Sequence, residues 1–277
     1  MNINFNGKLI PRDSFCLTLD NRAFQYADAV CETVKIVKGR ILFWEAHYFQ
    51  LMAAMRIFRM RIPMHFDLEF LESEIQKVID PNQKVQHVTL TVYREASPGT
   101  KNQLSAVSYL IDVKLGSDRV FENLLDDFEV EIYKDFYVPA SMLSTLHTPD
   151  RHIALLAQIF ADENGYQDCL LVNEHKNVVG TATGSLFWVK GTQIKTPPLS
   201  DGCKNDVLRN ELITRIKKSA LYAIEESSIS PFELQHADEL FKLNLETGIQ
   251  PVSRYRKKSY NREVAGFLRD DILSEIL

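Results

Sequence analysis

The first half of the chain alternates between strand-like and helix-like spacing of its apolar residues. Apolar segments around turn-like residues predict two hairpins near the start, the first with its turn at Pro11-Arg12-Asp13. Apolar residues at three-to-four spacing then predict two amphipathic helices, and β-rich runs follow, joined by a turn at Ser97-Pro98-Gly99. The predicted elements are hairpins at 5–19 and 34–43, helices at 44–58 and 68–78, and strands at 88–92 and 106–113.

The second half of the chain restarts this alternation after a polar, acidic stretch. We interpret residues 116–127 as a linker between an N-terminal α/β domain at 1–115 and a C-terminal α/β domain at 128–277. In the second domain, Gly165 is expected to end a helix that begins near Pro149. The other predicted elements are strands at 130–133, 169–172, 178–179 and 185–190, and helices at 205–218 and from 262 onward.

Composition excludes several classes of function. The formal net charge is -5 and the sequence pI is about 5.8, so the chain offers no basic footprint for nucleic acid or an anionic membrane surface. No apolar run approaches the roughly 20 residues of a membrane span, and no signal-peptide pattern is seen, so we expect a cytoplasmic protein. The cysteines lack C-x-x-C spacing and the histidines lack H-x-x-x-H spacing, so we expect reduced thiols and no metal site.

Three polar segments stand directly before predicted strands or helices. Residues 180–185 read GTATGS, which is either a small hydroxyl-rich loop that lets backbone approach a ligand or a plain connection between strands. Residues 201–206 read DGCKND before a helix, where Asn205 or Asp206 is an N-cap or lies beside an anion at the helix N-terminus. Residues 146–152 read LHTPDRH, a cluster that is also typical of solvated charges.

Further motifs occur in a fixed order along nearly the whole chain. They are NGKLI at 6–10, DNRAFQYADAVCET at 20–33, LFWVKG at 186–191, PPLSDGC at 197–203, ADELF at 237–241 and GIQPV at 248–252. In these motifs the chain resembles the class-IV aminotransferases, the fold-type-IV pyridoxal-phosphate (PLP) enzymes, which include branched-chain aminotransferases, D-amino-acid aminotransferases and 4-amino-4-deoxychorismate lyase. The resemblance implies a mixed α/β (α+β) chain with a two-domain D-amino-acid aminotransferase-like fold, a site at the domain interface and a homodimer.

The resemblance also identifies positions at which the family holds its cofactor, and several of them differ here. The family's Schiff-base lysine aligns with His147, and no lysine occurs between Lys134 and Lys176. The family's glutamate that pairs with the pyridine nitrogen aligns with Gly180. Its phosphate-binding arginine aligns with Gln50.

The family's phosphate loop differs in the same way. Leu208 stands where the family has a threonine hydroxyl, and Asp206 places a carboxylate where a phosphate rests in relatives, so that like charges repel. Because the replaced groups touch different parts of one cofactor, we expect a divergent member that holds no cofactor and has lost PLP catalysis.

The remaining polar residues suit a small anionic metabolite. By the alignment, Tyr26, Arg94, Arg151 and Lys204 line or border the site and form the candidate ligand-binding set. His147 is the candidate catalytic residue, because an imidazole titrates near neutral pH. An equally open interpretation is that these side chains pair with acidic neighbours and only fill the site.

Two other functions stay open on the sequence. One is an active PLP-dependent aminotransferase or lyase that uses a displaced lysine such as Lys134 or Lys204. The other is an enzyme with cofactor-free acid/base chemistry, whose turnover would depend on His147.

Overall fold

A computed structural model of the protein describes residues 2–95, 106–116, 119–121 and 124–273. The turn predicted at Ser97-Pro98-Gly99 lies outside these residues, as does part of the predicted linker. The chain divides into two compact units, one formed by Met1–Val120 with His147–Asp150 and the other by Phe121–Leu146 with Arg151–Leu277. The domain boundaries expected from the sequence stay a prediction.

The first unit is built on a six-stranded antiparallel sheet in the order β2-β1-β6-β5-β3-β4. Its strands β3 and β5 pair in continuous register from Ala29 opposite Tyr93 to Val37 opposite Val85. The elements are β1 (Asn2–Phe5), β2 (Lys8–Pro11), α1 (Arg22–Tyr26), β3 (Ala29–Val37), β4 (Arg40–Ile41), α2 (Trp44–Ile57), α3 (Leu68–Gln76), β5 (Val85–Arg94) and β6 (Val107–Leu115).

The first hairpin differs from its prediction in the position of its turn. The chain reverses at Asn6-Gly7, where both residues have positive φ angles of 49° and 85°, and not at the predicted turn near Pro11. Asn-Gly is the dipeptide best suited to a tight hairpin turn, because neither residue strongly resists positive φ. The segment 15–19 is therefore not a strand.

The second unit contains two five-stranded sheets, in the orders β12-β11-β10-β13-β14 and β16-β15-β7-β8-β9. Its strands are β7 (Glu129–Ile132), β8 (Asp168–Val172), β9 (Val178–Thr181), β10 (Ser185–Lys190), β11 (Gln193–Thr196), β12 (Ala223–Glu226), β13 (Glu239–Asn244), β14 (Gly248–Pro251), β15 (Arg254–Tyr255) and β16 (Lys258–Ser259). Its helices are α4 (His152–Asn164), α5 (Val207–Ser219), α6 (Pro231–Leu234) and α7 (Glu263–Phe267), and a π-helical segment follows at Leu268–Leu273.

Side chains from both sheets of the second unit form its main core. Leu170 and Val172 of one sheet pack with Leu186, Trp188 and Leu240 of the other. The helix α4 ends as predicted at Gly165, whose φ of 76° closes the last turn. Within the residues that the structure describes, no helix has the length and apolar character needed to cross a membrane.

Candidate functional site

Residue 147, where the resemblance places the family's lysine, is a half-buried histidine. The carbonyl oxygen of His147 accepts a hydrogen bond of 2.9 Å from the backbone N–H of Cys31 on β3. The backbone at this position is therefore anchored to the sheet of the first unit. An imidazole in this position can exchange a proton, but it cannot form the carbon–nitrogen double bond that a lysine amine forms with an aldehyde.

An amine nevertheless lies next to this position. The side chain of Lys204 donates a hydrogen bond of 2.6 Å to the carbonyl oxygen of Leu146, the residue immediately before His147. One residue further on, the backbone N–H of Asn205 donates to the carbonyl of Thr145 over 3.0 Å. The loop before α5 thus runs beside residues 145–146 and is held there by two hydrogen bonds.

The N-cap of α5 is Asp206, one of the two residues predicted for that position, but its carboxylate does not cap the helix. Its Oδ2 instead accepts a hydrogen bond of 2.5 Å from the hydroxyl of Ser185. Leu208 is buried in the first turn and offers no hydroxyl, while the Arg209 guanidinium, 1% exposed, donates to the carbonyl of Pro197 over 2.7 Å. The start of α5 therefore combines a helix N-terminus, which attracts anions, with a carboxylate, which repels them.

The loop at 180–185 has a backbone that disfavours a side chain at its first residue. Gly180 has a φ of 156°, which residues with side chains rarely adopt, and a Cβ there would lie 3.1 Å from the carbonyl oxygen of Gly184. The N–H of Thr181 donates to that same carbonyl over 2.8 Å and closes the loop. A glutamate at position 180, which the resemblance would require, would be strained in this conformation.

A buried ion pair that the sequence analysis missed fixes the other side of this loop. Lys242 on β13 lies 3.3 Å from the Oδ2 atom of Asp168, with side chains 7% and 0% exposed. The Lys242 amine also contacts the hydroxyl of Thr183 at 2.7 Å, and both Thr181 and Thr183 donate to Asp168. The signal in the sequence was a lysine inside the apolar strand ELFKLN, which needs a buried partner.

In the first unit lies Gln50, the residue that the resemblance aligns with the family's phosphate-binding arginine. Its amide donates a hydrogen bond of 2.9 Å to the Oε1 atom of Glu32, and the ring of His47 is 2.9 Å from the other carboxylate oxygen. Both Glu32 and His47 are buried. The side chain of Gln50 is neutral and is engaged with this carboxylate, so it does not supply the charge of an arginine.

Among the remaining predicted ligand-binding residues, one is paired with an acidic residue and two are exposed to solvent. Arg94 forms a two-point ion pair with Asp28, at 3.0 and 3.1 Å, and Arg22 adds a third contact of 2.7 Å to the same carboxylate. Tyr26 is 67% exposed, with the Arg22 guanidinium 5.5 Å from its ring centre. Arg151 is exposed at the start of α4. The structure thus brings Arg94 to an acidic partner and leaves Tyr26 and Arg151 open to solvent.

Comparisons with known proteins match almost the whole chain to one family of proteins. The model of the amino-transferase class IV family matches residues 29–255. A probable branched-chain-amino-acid aminotransferase of Aquifex aeolicus is 22% identical, with 90% of this chain and 82% of the relative covered. The aminodeoxychorismate lyase of Vibrio harveyi is 23% identical, with 85% and 86% covered. The solved branched-chain amino acid aminotransferase of Escherichia coli superimposes with a TM-score of 0.88 at 17% identity, covering 99% of this chain and 93% of the other.

The expectation that this scaffold holds no cofactor is wrong. The branched-chain amino acid aminotransferase of Thermobaculum terrenum is solved in its PLP form. It superimposes on this chain with a TM-score of 0.85 at 18% identity, covering 99% of this chain and 93% of the other. Another branched-chain aminotransferase of similar fold is solved with pyridoxamine 5'-phosphate. The expectation failed because it was argued from changed side chains alone, and a scaffold can keep a ligand after single contacts change.

Proposed function

The chain belongs to the amino-transferase class IV family, and from that membership we propose that it binds a small anionic ligand and has lost the family's lysine-dependent catalysis at residue 147. The observation that carries the proposal is the imidazole of His147 at the lysine position. Chemistry that depends on a covalent bond to an amine at that residue is not available to it. The family cofactor is itself a small anion, so PLP is the first ligand to test.

Charge around the loop before α5 supports binding of an anion. Lys204 provides a positive charge, and the N-cap residue of α5 leaves the N–H groups of the first turn uncapped by its side chain. Asp206 opposes this attraction, but its Oδ2 atom is turned to the Ser185 hydroxyl. We therefore expect binding in the micromolar to millimolar range, which is weaker than that of a site without a carboxylate beside the anion.

We assign the candidate residues different roles in this binding. Lys204 is the principal cation, and Arg151 and Tyr26 add exposed contacts. Arg94 is already paired with Asp28, so its contribution is smaller.

The two other functions remain distinguishable from this one by experiment. A displaced-lysine aminotransferase or lyase would convert bound PLP to pyridoxamine phosphate when an amino acid is supplied. A cofactor-free acid/base enzyme would turn over a substrate without any carbonyl cofactor, and His147→Ala would abolish that turnover while His147→Lys would not restore it. We further expect a homodimer and a cytoplasmic location, to be tested by light scattering and by fractionation.

The proposal is tested by separating binding from chemistry. Equilibrium dialysis with PLP is expected to show saturable binding that inorganic phosphate competes with, and Lys204→Met is expected to weaken that binding about tenfold. Lys217→Met removes an equal charge from the last turn of α5 and serves as the matched control, with no change expected. Absence of saturable binding to PLP and to inorganic phosphate alike would refute anion binding.

A variant that restores an amine at position 147 tests the second half of the proposal. His147→Lys is expected to be covalently labelled at residue 147 by PLP and borohydride, which shows that only the amine was missing there. If wild-type protein transfers an amino group from amino acids to PLP at the rate of the Escherichia coli aminotransferase, loss of catalysis is refuted.

A further inference from the structure

We propose that the outward face of α4 is the contact surface for a second copy of this chain, whose own α4 packs against it in the antiparallel direction. This contact face consists of His152, Leu155, Leu156, Ile159 and Glu163. The inference rests on the homodimer expected under the proposed function, for which it names the surface, and it does not depend on any ligand. The helix lies wholly within the second unit, so the contact face needs no residue of the first.

The helix α4 is apolar on two opposite faces. On the inner face, Ala157 and Ala161 are buried in one of the hydrophobic clusters of the second unit. The 3.6-residue period places Leu155, Leu156 and Ile159 on the other side of the helix, where they are 57%, 38% and 44% exposed. A helix that is apolar on both sides is expected to be covered on both sides. The outer side is therefore a surface that a partner is expected to cover.

An aromatic residue from a neighbouring segment extends this apolar surface. Phe136 is 54% exposed, and its ring centre lies 6.4 Å from that of Tyr133. The ring of Tyr133 in turn lies 5.8 Å from that of Phe160, which stands one turn after Leu156 on α4. Single exposed apolar residues are ordinary on a soluble protein, whereas a contiguous patch marks an interaction site.

The charged residues of α4 are placed against the dipole of their own helix. The dipole favours acidic side chains in the first turn and basic side chains in the last turn. This helix has no acidic residue in its first turn and no basic residue in its last turn. It begins instead with His152 and ends with Asp162 and Glu163. The two carboxylates therefore do not stabilise the helix on which they stand.

An antiparallel second copy satisfies the apolar and the charged positions together. Leu156 and Ile159 are equally distant from a point between residues 157 and 158, and so are His152 and Glu163. A two-fold axis through that point sets Leu156 of one copy against Ile159 of the other. The same axis sets Glu163 of one copy beside His152 and the helix N-terminus of the other, roughly 8 Å along the helix from the axis. A crossing angle of about 20° keeps these ends close to each other.

The contact face is complementary to itself, which favours a second copy over an unrelated apolar partner. In a two-fold contact each favourable pair of residues is formed twice. A parallel copy would set the two Glu163 carboxylates side by side, so the charges also select the antiparallel direction. A standard interface buries about 800 Å² per partner, more than one face of a helix about 20 Å long supplies. The contact face is therefore the apolar centre of the interface, and neighbours such as Phe136 extend it.

Sedimentation equilibrium of the full chain tests the apolar part of the contact face. The double variant Leu155→Ser/Ile159→Ser should raise the dimer dissociation constant at least about 100-fold, because central apolar contacts carry most of the binding energy of an interface. Leu221, which lies between α5 and β12 and is 58% exposed, provides the matched control. Leu221→Ser should leave the constant unchanged. Circular dichroism spectra that match the wild type show that the variants keep their fold.

Charge substitution tests the antiparallel direction. Glu163→Lys favours the isolated helix but sets a cation beside the N-terminus of the second copy, so the dimer dissociation constant should rise about tenfold. Thermal stability at low protein concentration should not fall. Adding His152→Glu restores opposite charges across the axis and should return the constant to within about threefold of the wild type. Failure of His152→Glu to rescue Glu163→Lys would overturn the antiparallel contact, and the inference with it.

The outcomes separate this inference from the expected homodimer and from ligand binding. A wild-type dimer that Leu155→Ser/Ile159→Ser does not weaken would overturn the inference and leave the homodimer standing. A wild-type chain that stays monomeric at about 100 μM would overturn both. Monomeric double variant beside dimeric wild type and dimeric Leu221→Ser, with rescue of Glu163→Lys by His152→Glu, would support the inference.

Discussion

Removing the buried cation Lys242 is expected to destabilise the protein strongly. The amine lies 3.3 Å from the Oδ2 atom of Asp168, and the two side chains are 7% and 0% exposed. In Lys242→Met the apolar stem is kept, so the main change is that a fully buried carboxylate loses its counter-charge. It retains three donors, from the hydroxyls of Thr181 and Thr183 and from the N–H of Cys169.

The size of the effect follows from that burial. Breaking a buried ion pair by removing one partner costs about 3–5 kcal/mol, and the three retained donors favour the lower end, about 3 kcal/mol. Asp168→Asn should cost a similar amount, because it leaves the lysine uncompensated. The double variant should cost less than the sum by about 2 kcal/mol, since neither uncompensated charge remains. As a control, Arg262→Met breaks the ion pair with Asp126, whose two side chains are 65% and 89% exposed. It should lower the free energy of unfolding by less than about 0.5 kcal/mol.

Urea unfolding of the four variants and wild type measures these free energies, provided that the denaturant slope is unchanged. A cost below about 1 kcal/mol for Lys242→Met, or additive single costs in the double variant, would refute the argument that this pair is a coupled buried charge pair.

Three further predictions concern single groups. Asp206→Asn removes a like charge at the start of α5 and should tighten PLP binding in dialysis about tenfold; weaker binding would contradict the assigned repulsion. Burial opposes the charge of Glu74, but hydrogen bonds led by Lys77 outweigh it and hold the pKa of that carboxyl below its ordinary 4.5. The stabilisation that the ionised Glu74 carboxylate contributes is therefore complete above about pH 5 and is lost as the pH falls through the depressed pKa. In urea unfolding between about pH 5 and pH 3, Glu74→Gln should therefore lose less stability than the wild type. Parallel plots of unfolding free energy against pH for the two proteins would contradict this. Burial raises the pKa of the Cys203 thiol to about 11. A disulfide reagent at pH 8 should therefore modify the exposed Cys16 rapidly and Cys203 only on unfolding. Equal rates of modification of the two thiols in the folded protein would contradict the described burial.

Much of the fold could be predicted from local patterns. The alternation of apolar residues with threonine in β5 matches a strand with one buried face, and Val88, Leu90 and Val92 are buried there. Gly165 ends α4 as its position after an apolar helix predicts. The first hairpin was misplaced because Pro11 was read as a turn residue, although the Asn6-Gly7 dipeptide has the stronger turn chemistry.

The candidate site could be predicted as a set of residues but not as a geometry. The sequence indicated Lys204 and His147, yet the hydrogen bond from Lys204 to Leu146 joins residues 58 positions apart. The pair of Lys242 and Asp168 is separated by 74 positions and depends on sheet pairing. Such contacts are set by tertiary packing, which local spacing does not encode.

The most direct test of the central claim is a half-reaction with the cofactor of the family. Purified protein is loaded with PLP, mixed in turn with L-leucine, L-glutamate and D-alanine, and assayed by chromatography for pyridoxamine phosphate, beside the Escherichia coli branched-chain aminotransferase and heat-denatured protein. We predict that PLP is bound saturably and is not converted faster than by the denatured protein. Stoichiometric conversion by the wild-type chain would contradict the account, because it would show that catalysis continues without a lysine at residue 147.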